Sequence, residues 1–326
     1  MTATPAPMPD PVEHRKAVEK IKKDLRKTVT TLSRDEARFL VGNYYTMQDA
    51  RIRAAAQVRE LAEDKKEHDA LAWVGDQSST LEGEVSKMLD TYSAAFALGQ
   101  WARSICGVGP VICAGLLAHI DFNPWSCSVH KANPNEIACS EFGEDKKTPH
   151  PGCGRSPLMT CGQIWRFAGL DPSSVWEKGE LRPWSADLKV LCWKLGHSFV
   201  MVSSNENDVY GHFMMERKEL LTAENNAGKF AATAAEILVK RPTHKQKAIL
   251  ATGKLTPGHI AARAQRVAVK LFLSHFFHVG YELKHGTPPP KPFILTQPGH
   301  THFISPPNWP SIMQEEGMDT LKKLPE

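Results

Sequence analysis

An all-α architecture is the expectation for this 326-residue chain, and three observations carry it. Apolar residues recur at intervals of three and four over long stretches, helix start and stop signals bracket those stretches, and no convincing pair of alternating, strand-like segments occurs. The first periodic segment sets Val18, Ile21, Leu25, Val29 and Leu32 beneath a shell of Lys and Arg. The capping sequence Ser33-Arg34-Asp35-Glu36 then opens a second helix in which Leu40, Met47, Ala54 and Leu61 keep a seven-residue repeat. Ser79 with Glu82 reads as the start of a third helix, carrying Leu81, Val85, Met88 and Tyr92. Together these helices predict an antiparallel coiled-coil arm over residues 13–100, preceded by a Pro-rich, disordered segment over 1–12.

Residues 101–122, WARSICGVGPVICAGLLAHIDF, read as a helix, a glycine hairpin and a second helix. In this helix-hairpin-helix arrangement Gly107 and Gly109 allow positive φ and close approach, and Pro110 presets the first turn of the following helix. The amides exposed at such a turn can receive a phosphate, so both glycines are candidate nucleic-acid contacts. Helical periodicity continues over 164–168, 187–202, 210–221, 229–238 and 259–278, which places a helical domain over 101–285. After Gly286 the run TPPPKP predicts an extended or disordered tail over 286–326, with one short helix at 311–321.

An apolar content of 41% suffices for a substantial core. Forty Lys and Arg against 36 Asp and Glu leave a net charge of only +4, so any argument for a polyanionic partner rests on clustering. On the helix after Pro257, His259, Arg263, Arg266 and Lys270 follow at steps of four, three and four and share a face, as phosphate binding requires. A second basic group, Arg166, Lys178, Arg182, Lys189 and Lys194, is interleaved with Trp165, Trp176, Trp184 and Trp193. Cations and indoles together can hold phosphates and stack bases. Trp165 and Trp193 are expected in the core, and Trp176 or Trp184 is expected to be the more accessible. On the second arm helix Tyr44, Gln48 and Arg51 share a face able to touch RNA or to pack against a partner helix.

Four of the seven cysteines fall between 127 and 161, in a polar segment over 125–161 that also holds His130 and His150. No membrane span or signal peptide is apparent, so a reducing, cytoplasmic setting is expected, in which such clustering favours metal over disulfides. The spacings Cys127-x-x-His130 and His150-x-x-Cys153 suit a small zinc loop. Cys127, Cys139, His150 and Cys153 are the expected ligands, with His130 and Cys161 as alternates, and four protein ligands would make the Zn²⁺ structural. Catalytic signatures are sparse. Gly228-Lys229 lacks the rest of a phosphate-binding loop, neither GxSxG nor HExxH occurs, and Asp121, Asp171 and Asp187 form no evident two-metal set.

GVGPVICAGLLAHIDF, QIWRFAGLDP and HIAARAQRVAVKLFLSHFF together resemble the C-terminal domain of bridge-RNA insertion-sequence transposases, over roughly residues 85 to 280. Those enzymes carry a DEDD nuclease domain ahead of the coiled coil, which is not expected here, and a serine downstream of an AGL-x-P motif. Ser173 and Ser174 are the only, weak, candidates for that serine here. A coiled coil followed by this domain also resembles the nuclease-free, Nop-domain Tas proteins of tandem interspaced guide RNA systems. That resemblance implies a protein that binds a short guide RNA and, through it, target DNA, as a homodimer, with any cutting left to a separate nuclease. A transposase-derived DNA-binding protein or recombinase subunit, and a coiled-coil scaffold with a zinc clip, are the alternatives.

Overall fold

The computed structural model describes residues 21–63, 69–122, 160–240, 243–292, 303–314 and 321–325. The expectation of an all-α protein holds: 70% of the structure is helix and the described residues form no strand. The helices are α1 (Lys23–Thr28), α2 (Arg34–Glu63), α3 (Asp69–Ala94), α4 (Ala97–Arg103), α5 (Pro110–His119), α6 (Cys161–Phe167), α7 (Ala186–Val202), α8 (Tyr210–Asn226), α9 (Ala231–Val239), α10 (His244–Leu250) and α11 (Pro257–His285). Single 3₁₀ turns occupy Val29–Thr31 and Ser311–Gln314. The N-terminal segment over 1–12 lies outside the described residues.

Helices α2 and α3 form a long antiparallel hairpin. The capping box at Ser33 is present: its backbone N–H donates to Glu36 Oε2 at 2.8 Å, and the Glu36 N–H donates to Ser33 Oγ at 3.3 Å. Along α2, Leu40, Tyr44, Met47, Arg51, Ala54 and Val58 are among the half-buried positions and follow at alternating steps of four and three. Arg51 of this set meets Glu82 of α3. Gly75 and Ala54 meet at one level, where a Cβ on the glycine would lie 3.6 Å from that of Ala54, so small residues let the two backbones approach.

Two expectations for this region are corrected. Ser79 does not start a helix; α3 has begun ten residues earlier. The neighbouring hydroxyls return to carbonyls one turn back, Ser78 to Val74 at 2.9 Å and Thr80 to Asp76 at 2.9 Å, so they sit inside the helix without competing with it. Leu81 is 39% exposed; the buried register runs through Val85, Leu89 and Tyr92 instead.

The core is built around α5 and α11. Helix α5 is apolar on every side, and Val111 and all residues from Cys113 to Ala118 are buried, as expected of a helix surrounded by others. Gly115 admits α7 closely, since a Cβ there would stand 2.7 Å from Leu191 Cδ2. On α11, Phe272 packs against Trp101 at 5.9 Å between ring centroids and edge-on against Tyr210 at 5.3 Å, geometry that aromatic quadrupoles favour. The Tyr210 hydroxyl lies 2.7 Å from His275 Nδ1, and His275 Nε2 lies 2.9 Å from the Ile304 carbonyl. A carbonyl can only accept, so Nε2 carries the proton and Nδ1 accepts from the tyrosine.

That last contact belongs to the C-terminal segment, whose described parts are docked, contrary to the expected loose tail. Trp101 Nε1–H donates to the Pro307 carbonyl at 2.8 Å, Trp309 Nε1–H to Glu282 Oε2 at 2.9 Å, and the Ala97 N–H to the Lys322 carbonyl at 2.8 Å. Trp309, set in the proline-rich stretch, and Trp101, which receives that stretch, supply the anchoring area that composition alone does not reveal. Of the expected helix over 311–321, the described residues contain the 3₁₀ turn.

Candidate nucleic-acid interface

Two basic groups far apart in sequence meet on one face. After α6, the chain turns at Gly169 (φ 65°), whose missing Cβ leaves room for Trp184 and Lys189, each 2.9 Å from where that atom would stand. The turn returns the 171–185 loop onto α6, with the Ser185 N–H donating to the Phe167 carbonyl at 2.9 Å. Lys189 Nζ then lies 4.2 Å from the centre of the Trp184 ring, Arg182 5.1 Å from that of Trp176, and Lys270 4.2 Å from that of Trp165. Arg263 covers Phe230 at 4.8 Å. Such stacking orients the cations without neutralising them.

Electrostatics confirm the proximity. Burial, then the neighbouring Arg182 and Arg266, push the Lys189 ammonium below the ordinary lysine range. Burial, then Arg263, does the same to Arg266. Lys270 is lowered by burial and partly restored by Asp171. Like charges gathered this way repel one another until a polyanion neutralises them. Asp171 borders this face and lies 3.5 Å from Arg166 Nε.

The remaining expected residues have varied placements. Lys178 is exposed on the loop. His259 caps its own helix, its Nδ1 3.0 Å from Thr256 Oγ1 and its N–H donating to that oxygen at 3.3 Å. Ser173 closes an Asx turn, with Oγ–H and N–H both donating to Asp171 Oδ1, at 2.8 and 3.0 Å; the Ser174 N–H reaches the Asp171 carbonyl at 3.2 Å. These are turn-forming contacts.

Tyr44, Gln48 and Arg51 do share a face, and that face meets α3. Arg51 Nε–H donates to Glu82 Oε2 at 2.5 Å, and Gln48 Nε2–H to Glu82 Oε1 at 3.4 Å and to the Tyr44 hydroxyl at 3.2 Å. Hydrogen bonding from Arg51 holds the Glu82 carboxyl below the usual range despite its burial. Arg51 is thus committed to Glu82, while Tyr44 and Gln48 also line an open cleft of about 420 Å³ with Gly109, Trp193, Lys194 and His197.

Within the glycine hairpin the two glycines differ in role. Gly107 (φ 88°) accepts a hydrogen bond from Ser198 Oγ at 2.6 Å, and a Cβ there would stand 3.0 Å from Val202 Cγ2; it packs the turn onto α7. Gly109 is exposed and leads into α5 at the cleft.

Trp193 is a correction: it is 65% exposed, not core, and stacks on His197 at 5.8 Å with 5° between the ring planes. Lys194 Nζ lies 3.7 Å from the centre of the Tyr45 ring. Tyr45 and His197 are border residues that the sequence reading missed. A signal was present, since the buried set Leu188, Leu191, Cys192, Leu195 and Phe199 leaves positions 193 and 197 on the opposite side of a 3.6-residue helix.

Cys127, His130, Cys139, His150 and Cys153 lie outside the described residues. Cys161 begins α6 with its thiol buried and pushed above the ordinary range by that burial. Among the described residues no group of three or more His, Cys, Asp or Glu is arranged to hold a metal, and no helix is long and apolar enough to cross a membrane. No protein-family profile, curated protein or solved structure matches the chain. The functional reading therefore rests on its own residues and their geometry.

Proposed function

We propose that this chain is an RNA-binding protein that holds a short guide RNA and, through base pairing by that RNA, engages target DNA, with any cleavage left to a separate nuclease. The observation that carries this reading is the convergence of Arg182, Lys189, Arg263, Arg266 and Lys270, from segments some 80 residues apart in sequence, on one face with Trp165, Trp176 and Trp184 beside them. Cations that track a backbone, with aromatic rings for unstacked bases, are the combination that single-stranded nucleic acid requires. The resemblance of the glycine-hairpin and AGLDP motifs to the C-terminal domain of bridge-RNA transposases, and of a coiled coil followed by this domain to Nop-domain Tas proteins, points the same way.

The remaining parts of the proposal follow from the same reading. The alternating steps of four and three in the α2–α3 seam favour an antiparallel coiled-coil arm within the chain, and two copies associate as a homodimer through the outer side of that arm. The segment over 125–161 binds a structural Zn²⁺ through Cys127, Cys139, His150 and Cys153. Extraction and sequencing of nucleic acid from protein purified out of cells carrying its native genetic neighbourhood tests the proposal. Discrete short RNAs of uniform length are expected. Protein free of nucleic acid would contradict the reading, and DNA without RNA would favour the transposase-derived DNA-binding alternative.

A further inference from the structure

Beyond the cation face, α11 borders a cavity of about 730 Å³. Its walls include Trp165, Phe213, Phe277 and Phe303, and two of its lining residues, Lys270 and Lys291, are cationic. No carboxylate lines it among the described residues. Steps along α11 of three, four, four and four connect Arg263, Arg266, Lys270, Ser274 and His278, so one side of the helix carries the cation face directly into the cavity. Lys270, stacked on Trp165, belongs to both.

We propose that this cavity receives one unstacked nucleobase of a single-stranded RNA whose phosphates lie along Arg263, Arg266 and Lys270. The inference rests on the nucleic-acid reading above and adds a site to it. Three properties select the occupant. The walls are aromatic, offering π faces to a flat ring. The cations at the shared boundary complement a phosphate and repel a basic peptide. The polar groups inside offer lone pairs: Ser274 Oγ–H is already donated to the Lys270 carbonyl at 2.8 Å. His278 Nε2 lies 3.3 Å from Glu282 Oε2, which leaves Nδ1 as an acceptor. Acceptors facing an apolar cavity suit a ring that carries N–H donors.

The test compares two 12-nucleotide probes of equal charge by fluorescence anisotropy, single-stranded oligoadenylate and the same sugar-phosphate chain without bases. The base-bearing probe is expected to bind at least about tenfold more tightly. Phe303→Ala, at a residue 49% exposed and so little coupled to folding, removes one wall, and Leu271→Trp fills the cavity. Each is expected to reduce the preference for the base-bearing probe at least about threefold, the remainder coming from Trp176 and Trp184 outside the cavity, while leaving the salt dependence of both probes unchanged, with circular dichroism checking that both variants fold. A preference for bases that neither substitution reduces would overturn the cavity proposal alone, and equal, salt-dependent binding of the two probes by the unaltered protein would overturn it together with base stacking on the indoles of the cation face. Failure of both probes to bind would overturn it together with the nucleic-acid reading.

Discussion

Gly99→Ala is expected to destabilise the protein by about 3 kcal/mol or more, the upper end of what an added core methyl costs. Gly99 lies in the first turn of α4, folded tightly against the last turn of α3, and a Cβ there would stand 1.9 Å from the Ser93 carbonyl oxygen and 3.0 Å from its carbon. Those are backbone atoms, so no side-chain rotation relieves the clash. Leu117 of α5 closes the other side at 3.2 Å. Relief requires α4 to move away from α3, and α4 carries Trp101, which is fully buried against Phe272 and Phe276. Urea unfolding of the variant should show a midpoint lowered to match that loss with an unchanged slope; a midpoint within error of the unaltered protein would mean that the α3–α4 junction is looser than described.

This junction also marks where the sequence was legible and where it was not. The continuous periodicity through residues 79–103 suggests a nearly unbroken helix into the glycine hairpin, and the chain instead breaks at Ala95–Phe96. Nothing local forbids helix there; the break follows from the close approach at Gly99 and from the pairing of Ala97 with Lys322, a contact between residues far apart in the chain. Helix α10 was missed although Thr243 and Gln246 form a capping box, because its seven residues are too short for periodicity to register. By contrast α5, α7, α8, α9 and α11 are long or strongly apolar and were visible from spacing alone. The stripe His259, Arg263, Arg266 and Lys270 was readable for the same reason. Its meeting with Arg182 and Lys189 was not, since it depends on the turn at Gly169.

Acidification provides the second large effect. His275 is 3% exposed, and burial, only partly offset by the hydrogen bond to Ile304, lowers its pKa from 6.5 to about 4. Above pH 6.5 the ring is neutral in the folded and unfolded chains alike, and stability is complete. Between pH 6.5 and about 4 the unfolded chain binds a proton that the folded chain refuses, so stability falls as pH falls, by about 3 kcal/mol in total. Burial lowers His119 and His278 in the same direction, so the isolating comparison is with His275→Gln. Glutamine can donate to Ile304 and accept from Tyr210 without titrating. Urea unfolding between pH 4 and 7 should show a shallower pH dependence in that variant; equal dependence in both proteins would mean that His275 is not the buried neutral base described.

The central claim is that the face formed by α11 and the 171–189 segment binds RNA through phosphates. Its most direct test is the affinity of a single-stranded RNA, measured over a series of salt concentrations, for the unaltered protein and for Arg263→Glu/Arg266→Glu/Lys270→Glu. Each phosphate contact contributes about 0.7 to the slope of log affinity against log salt for a single strand. The triple variant should therefore bind far more weakly and show a slope reduced by about 2. Unchanged affinity and slope in a folded variant would contradict the account and remove this face from RNA binding.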